Sequence, residues 1–229
     1  NKQGRIAADH ICGRRSAYTG ALGTSVLKLF DLTAASTGLN EKQARAAGVA
    51  YDKVVTYSAS HASYYPGARN MTVKTLFDPA SGRILGAQIV GFDGVDKRMD
   101  VLAAAIRAGL TAEQLTELDL AYAPPYGSAK DPVNMAGYVI ENVRAGLVEQ
   151  HHWDAVAELP ADGSVILLDV RTPGEVRKQG LLRSDALHIP LDELRGRLGE
   201  LDKGKKIYVN CYSGLRSYLA CRILSQHGF

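Results

Sequence analysis

The sequence predicts an α+β domain built on an antiparallel sheet, followed by an α/β domain built on a parallel sheet. Three observations carry this expectation. In the first half, strand-like segments are joined by a short turn and alternate with helices that are apolar on one stripe. In the second half, the strand segments are continuous apolar runs, as expected of parallel strands buried on both faces. Between them, the polar stretch Glu149-Gln150-His151-His152 marks a linker. A chain of 229 residues is long enough for two such domains.

Taken in order, the first helical stretch runs roughly from Arg5 to Cys12 and a second from Ser16 to Phe30. Gly20 and Gly23 weaken the second helix and suggest close backbone packing or ligand approach. Asn40 with Gln43 forms a capping box for a short helix ending near Gly48. The period then changes: Val54 to Ser60, Met71 to Asp78 and Arg83 to Gly91 read as strands, the last two joined by the hairpin signal Pro79-Ala80-Ser81-Gly82. After Gly94, Val95, Met99, Leu102 and Ile106 form a helical stripe. Thr111 with Gln114 caps another short helix. Asp131-Pro132 is an N-cap followed by an N1 proline, opening a helix with Val133, Ala136, Ile140, Val143 and Leu147 on one face. An antiparallel sheet with helices on one side follows. Beyond the linker, Val165 to Val170 and Ile207 to Val209 are the buried strands, alternating with helices near Leu191 to Leu198 and Ser217 to His227.

Composition narrows the function classes. The chain is 46% hydrophobic and 22% charged, an ordinary globular balance. With 27 basic against 24 acidic residues the net charge is +3, too even to argue for nucleic acid. No apolar run reaches membrane-spanning length. Three cysteines, Cys12, Cys211 and Cys221, are an odd number without paired spacing, which points to reduced thiols and a cytoplasmic setting. No metal site is expected.

Cys211 is the candidate nucleophile. Asn210 ends a buried strand, and Cys211-Tyr212-Ser213-Gly214-Leu215-Arg216 leads into a helix at Ser217. A loop curled between a strand end and a helix start points successive N–H groups into one cavity, and the helix dipole and Arg216 add positive potential. Such a cradle lowers a thiol's pKa and holds a thiolate or persulfide. The competing reading makes Cys211 a small buried hydrophobe. Cys221, in mid-helix, has no activating neighbour in the sequence and reads as core; Cys12 reads as inert. The set Asp169-Val170-Arg171-x-x-x-Glu175, His188-Ile189-Pro190-Leu191 and the C-x-x-G-x-R loop resembles a single-domain rhodanese over Trp153 to Phe229. The resemblance implies that Cys211 takes up a sulfane sulfur and passes it to a nucleophile, with Asp169, Arg171 and Glu175 as a mainly structural charge network. It also implies a further strand beyond Phe229.

In the first half, His61-Ala62-Ser63-Tyr64-Tyr65-Pro66-Gly67 and Ala121-Tyr122-Ala123-Pro124-Pro125-Tyr126 place tyrosines beside prolines in loops. They read either as a binding surface or as ordinary half-buried aromatics. Together with Asn1 to Gly13, Gly20 to Ser25, Asp96-Lys97-Arg98 and the Tyr122–Asp131 segment, they resemble the C-terminal part of the coenzyme A-disulfide reductases, flavoproteins of the pyridine nucleotide-disulfide oxidoreductase family. That resemblance implies a homodimerisation domain whose Tyr64 and Tyr122 approach the redox cysteine and coenzyme A thiol of the partner subunit. It places Ala123, Pro124 and Pro125 near the partner's flavin.

No G-x-G-x-x-G fingerprint follows a strand, so the folds that bind FAD and NAD(P)H are expected outside this chain. The expected division is 1–30 as the tail of a flavin domain, 31–148 as the dimerisation domain, 149–152 as linker and 153–229 as the rhodanese-like domain. The whole reads as the C-terminal fragment of a coenzyme A-disulfide, persulfide or polysulfide reductase fused to a rhodanese. Two alternatives stand beside it: a stand-alone sulfur carrier, and a non-catalytic dimerisation and coenzyme A-binding module.

Overall fold

The computed structural model describes residues 2–229; Asn1, assigned from sequence to the flavin-domain tail, lies outside them. Helix α1 (Lys2–Ile11) forms close to where the sequence places it. The helix expected over 16–30 does not form. Gly20 and Gly23 adopt φ of 84° and 67°, which take the backbone out of the right-handed helical region. Ser25–Leu29 is instead strand β1, paired antiparallel with β2 (Leu32–Gly38) from Ser25↔Ser36 to Leu29↔Leu32. Neither strand was anticipated, because the turn Phe30-Asp31 carries none of the glycine or asparagine that signals a two-residue hairpin. Phe30 itself takes φ 53° and is 91% exposed.

The remaining strands, β3 (Asp52–Ala59), β4 (Asn70–Phe77) and β5 (Ile84–Gly91), lie where expected and complete a five-stranded antiparallel sheet ordered β1-β2-β5-β4-β3. Its register lines Thr56, Val73, Ile89 and Ala35 into one row on one face. Against that face pack α3 (Val95–Ala108) and α5 (Pro132–Arg144), with the short α4 (Ala112–Thr116) against α5. Met99, Leu102 and Ile106 of α3 bury their predicted stripe here. Each such buried aliphatic side chain contributes about 1.5–3 kcal/mol. The capping boxes at Asn40, Thr111 and Asp131 are all formed, the last with Asn134 at N3.

Two expectations need correction. Helices are not confined to one side of the sheet. Lys74 alternates with the core residues Val73 and Thr75, so it points to the opposite face. There its ammonium bonds the Glu41 carboxylate of α2 (Glu41–Ala46), joined by Lys53 Nζ at 3.0 Å. The α5 stripe does not run the length expected, to Leu147, and is not a free surface. Val133, Ala136 and Ile140 are fully buried in their own domain, and Leu147 lies beyond the helix end at Arg144.

The second domain carries a parallel sheet ordered β7-β6-β8, from β6 (Val165–Asp169), β7 (Leu187–His188) and β8 (Lys206–Asn210). Central β6 buries Leu167 and Leu168, whereas β8, at the edge, is only half-buried rather than covered on both faces. Helices α6 (Pro173–Gln179), α7 (Leu191–Leu194) and α8 (Leu215–Gln226) flank it. The helix expected to Leu198 stops at Leu194, and a separate 3-10 turn covers Leu198–Glu200. The linker is tied to β3: Gln150 Nε2 donates to the Lys53 carbonyl at 3.4 Å, and Asp154 lies 3.7 Å from Lys53 Nζ. Among the described residues no helix is long and apolar enough to cross a membrane.

Burial works to raise the Glu41 carboxyl, but Lys74 and Lys53 outweigh it and hold its pKa at about 2. A carboxyl depressed on folding stabilises the protein above its unfolded pKa, and that contribution is lost as pH falls towards the folded value. Glu41→Gln is therefore expected to cost about 1 kcal/mol at pH 7, with the gap to the parent closing between roughly pH 4.5 and 2, as read by urea unfolding.

Candidate functional site

The strand–loop–helix arrangement around Cys211 forms as the sequence predicts. Cys211 follows β8 directly, and the loop Tyr212, Ser213 and Gly214 turns into α8, which starts at Leu215 rather than Ser217. Gly214 takes φ 104°, a region costly for any other residue, and this lets its N–H turn back onto Cys211 Sγ at 3.1 Å. Sγ also lies 3.6 Å from Ser217 Oγ, whose hydroxyl donates to the Gly214 carbonyl at 2.8 Å. Burial works to raise the Cys211 thiol. The Ser217 hydroxyl and the N–H groups of Ser217, Ser213 and Gly214 outweigh it and leave the thiol below its ordinary value. The group is half-buried and tuned towards thiolate, unlike Cys221, which burial pushes up. Cys12 is exposed at the end of α1.

A cavity of about 380 Å³ opens in front of Cys211, lined by Arg171, Gln179, Gly180, Leu182 and Tyr212 among others. Its back wall is set by a buried ion pair. Arg171 Nε lies 3.0 Å from both Asp169 carboxylate oxygens, and Nη2 lies 2.6 Å from Oδ2. The same guanidinium donates to Gln179 Oε1 at 2.9 Å and to the Gly180 carbonyl at 2.7 Å, pinning the end of α6 beside the loop. Burial works to raise Asp169, but Arg171 and the Asn210 side chain hold it low, so the pair stays ionised next to Cys211. Glu175 belongs elsewhere: it grips Arg216 through two bonds of 2.7 Å, and Arg216 and Thr172 hold its carboxyl far below the usual range. The charge that Arg216 was expected to lend to the cradle is thus largely spent on Glu175. A slightly larger cavity, about 430 Å³ between α7 and α8, contains no nucleophile.

The first domain brings its two tyrosine loops together. Tyr64 and Tyr122, 58 positions apart, place their hydroxyls 3.3 Å from each other on an exposed surface. The loops are joined through the backbone: Ala62 N–H donates to the carbonyls of Gly127 at 2.9 Å and Pro124 at 3.3 Å. Ala123, Pro124 and Pro125 form the turn beside Tyr122. The hydrogen bond with the Tyr64 hydroxyl raises the Tyr122 phenol above its ordinary value. Of the functional contacts, sequence reasoning missed Ser217 and the Gln179–Leu182 wall. Ser217 was detectable as a hydroxyl in the first turn of a helix, one residue after the loop; the wall is set by tertiary packing alone. Among the described residues no cluster of His, Cys, Asp or Glu could hold a metal ion.

Two known families match separate parts of the chain. Residues 24–132 match the pyridine nucleotide-disulphide oxidoreductase dimerisation domain, and residues 152–229 match the rhodanese-like domain. A coenzyme A disulfide reductase of Staphylococcus haemolyticus is 42% identical over 134 residues, which are 58% of this chain and 30% of that protein. The crystal structure of reduced Bacillus anthracis CoADR-RHD superposes with a TM-score of 0.95 at 48% identity, covering 100% of this chain and 41% of that one. A NAD-dependent persulfide reductase from A. fulgidus gives 0.87 at 42% identity, with 100% and 40% covered. The chain therefore spans less than half the length of these relatives.

The Ser217 hydroxyl donates to the Gly214 carbonyl while Cys211 is a thiol and turns to Sγ when it becomes a thiolate, so its loss removes a donor to the anion. Ser217→Ala is expected to move the pH midpoint of Cys211 alkylation upward and to slow labelling at pH 7 several-fold. Peptide mass spectrometry after iodoacetamide treatment across pH reads this, with Cys221 as the internal control for an untuned thiol.

Proposed function

We propose that this chain, which joins a pyridine nucleotide-disulphide oxidoreductase dimerisation domain to a rhodanese-like domain, is the C-terminal part of a coenzyme A-disulfide or persulfide reductase that receives its sulfur through Cys211. The observation that carries the reading is the tuned thiol at a strand–loop–helix junction, in one chain with a paired-tyrosine surface. The first-domain boundary falls ahead of β1, since that strand belongs to the sheet, rather than at residue 30. A homodimer in the cytoplasm is the expected form.

The Cys211 thiolate attacks the outer sulfur of a donor persulfide, forming Cys–S–S⁻ and releasing the donor thiolate. The loop N–H groups that bond Sγ, with the Ser217 hydroxyl, stabilise the anion in both forms. A coenzyme A thiolate then attacks the outer sulfur of Cys–S–S⁻, leaving coenzyme A persulfide and restoring the Cys211 thiolate. Reduction of that persulfide to thiol and sulfide takes two electrons, which FAD fed by NAD(P)H supplies when bound. The residues present can border a flavin but not enclose one. The turn Ala123-Pro124-Pro125 is rigid and uncharged, and among the described residues no G-x-G-x-x-G turn of the kind that cradles a pyrophosphate joins a strand to a helix in the first domain. FAD and NAD(P)H are therefore assigned to the remainder of the full-length protein. Tyr122, still protonated, turns its one O–H from the Tyr64 hydroxyl to the thiolate that leaves and donates a hydrogen bond to it.

In the full-length protein, Tyr122→Phe is expected to slow NAD(P)H oxidation by preformed coenzyme A persulfide by about 10²-fold. Cys211→Ser is expected to leave that rate unchanged while abolishing sulfur transfer from a donor persulfide to coenzyme A. Unaltered transfer in the Cys211→Ser protein refutes the carrier role.

A further inference from the structure

We infer that Arg98 is a positioning residue for the tyrosine pair: its buried guanidinium, matched by Asp131, holds the two loops carrying Tyr64 and Tyr122 at the separation where their hydroxyls meet. Arg98 lies in α3, 2% exposed, and its hydrogen bonds go to neither tyrosine hydroxyl. Its reach is through the backbone. Nη2 donates to the carbonyl of Ser60, four residues before Tyr64, at 2.8 Å, and to that of Tyr126, four residues after Tyr122, at 3.5 Å. The same nitrogen bonds Asp131 Oδ2 at 2.9 Å, Nε bonds Oδ2 at 3.1 Å, and Nη1 donates to the Gly94 carbonyl at 3.2 Å. Asp131 is itself fixed as the N-cap of α5 by the Val133 N–H at 3.0 Å. One planar fork therefore joins the start of α3, the start of α5 and both tyrosine loops.

The space around the fork is made for it. A Cβ on Gly94 would come within 2.1 Å of Nη1, and one on Gly127 would lie 3.7 Å from Nη2. A lysine fits the charge but not the task. Its single ammonium can pair with Asp131, yet it cannot reach the carbonyls of both loops at the angles a guanidinium spans. The loops are also linked directly, Ala62 N–H donating to the carbonyls of Gly127 and Pro124, so the Arg98 fork acts alongside that link.

The inference rests on the reading of Tyr64 and Tyr122 as the groups that meet the leaving thiolate, but its test reads the pair whatever it acts on. In the 229-residue chain carrying tyrosine labelled at Cζ, NMR follows the titration of Tyr122 directly. Tyr64→Phe should bring its midpoint down to that of an ordinary phenol. Arg98→Lys, which keeps the charge, should do the same with both tyrosines present. A folded Arg98→Lys chain with lowered thermal stability and a parental Tyr122 midpoint would show a purely structural arginine and overturn the inference. Should Arg98→Lys fail to fold, the uncharged pair Arg98→Met/Asp131→Asn is read by the same criterion. A failed positioning role leaves the tyrosines' own role standing, since that falls only with an unaffected Tyr122→Phe reductase.

Discussion

A guanidinium can be buried only if its N–H groups are met, and both domains are organised around that demand. In the first domain Arg98 collects the Asp131 carboxylate and three backbone carbonyls. In the second, Arg171 collects Asp169, Gln179 and the Gly180 carbonyl. Neither arginine is placed to meet a substrate directly as a free charge. Each converts the cost of desolvation into a geometric constraint, because leaving one partner unmatched in the interior costs about 3–5 kcal/mol. In the first domain the fork holds the two tyrosine loops; in the second it holds the end of α6 as a wall of the cavity in front of Cys211. Exposed tyrosines and a half-buried cysteine can then stay accessible without being loose.

The same economy governs charge near Cys211. Arg171, which lines the Cys211 cavity, is neutralised by Asp169, and Arg216, at the end of the Cys211 loop, by Glu175, so both cations are committed. The thiolate is favoured instead by short-range donors: the Gly214 N–H at 3.1 Å, the neighbouring loop N–H groups and the Ser217 hydroxyl. Fixed dipoles at contact distance act without the mobility of a long side chain and need no reorganisation as the anion moves from thiolate to persulfide. A free arginine would bind the anion more tightly and make the outer sulfur harder to hand on.

What was legible in the sequence divides along the range of the interactions. The capping box at Asn40, the N-caps at Thr111 and Asp131, the α3 stripe and the Cys211 loop are local patterns, and each forms. The β1–β2 hairpin escaped because Phe30-Asp31 is a turn held by pairing across the strands rather than by its own residues. Helix-like spacing in 16–30 lost to that pairing once two glycines had left the helical region. The tyrosine pair was legible only as two aromatic loops. Their junction depends on Arg98, whose partners lie 28 to 38 positions away in sequence. The Glu175–Arg216 pair, 41 positions apart, was hidden for the same reason.

The two sites push their groups in opposite directions, and each direction suits the role proposed for it. Sulfur uptake needs an anion at rest, and the Cys211 environment lowers the thiol despite its burial. A group that meets a departing thiolate must still hold its proton, and the Tyr64 hydroxyl raises the Tyr122 phenol. A raised phenol is a poor acid towards most thiolates but a dependable hydrogen-bond donor. That makes Tyr122 better suited to stabilising the leaving sulfur in place than to protonating it outright. The proton that finally completes the free thiol then comes from solvent or from the remainder of the full-length protein, and the exposed setting of Tyr64 and Tyr122 leaves room for either.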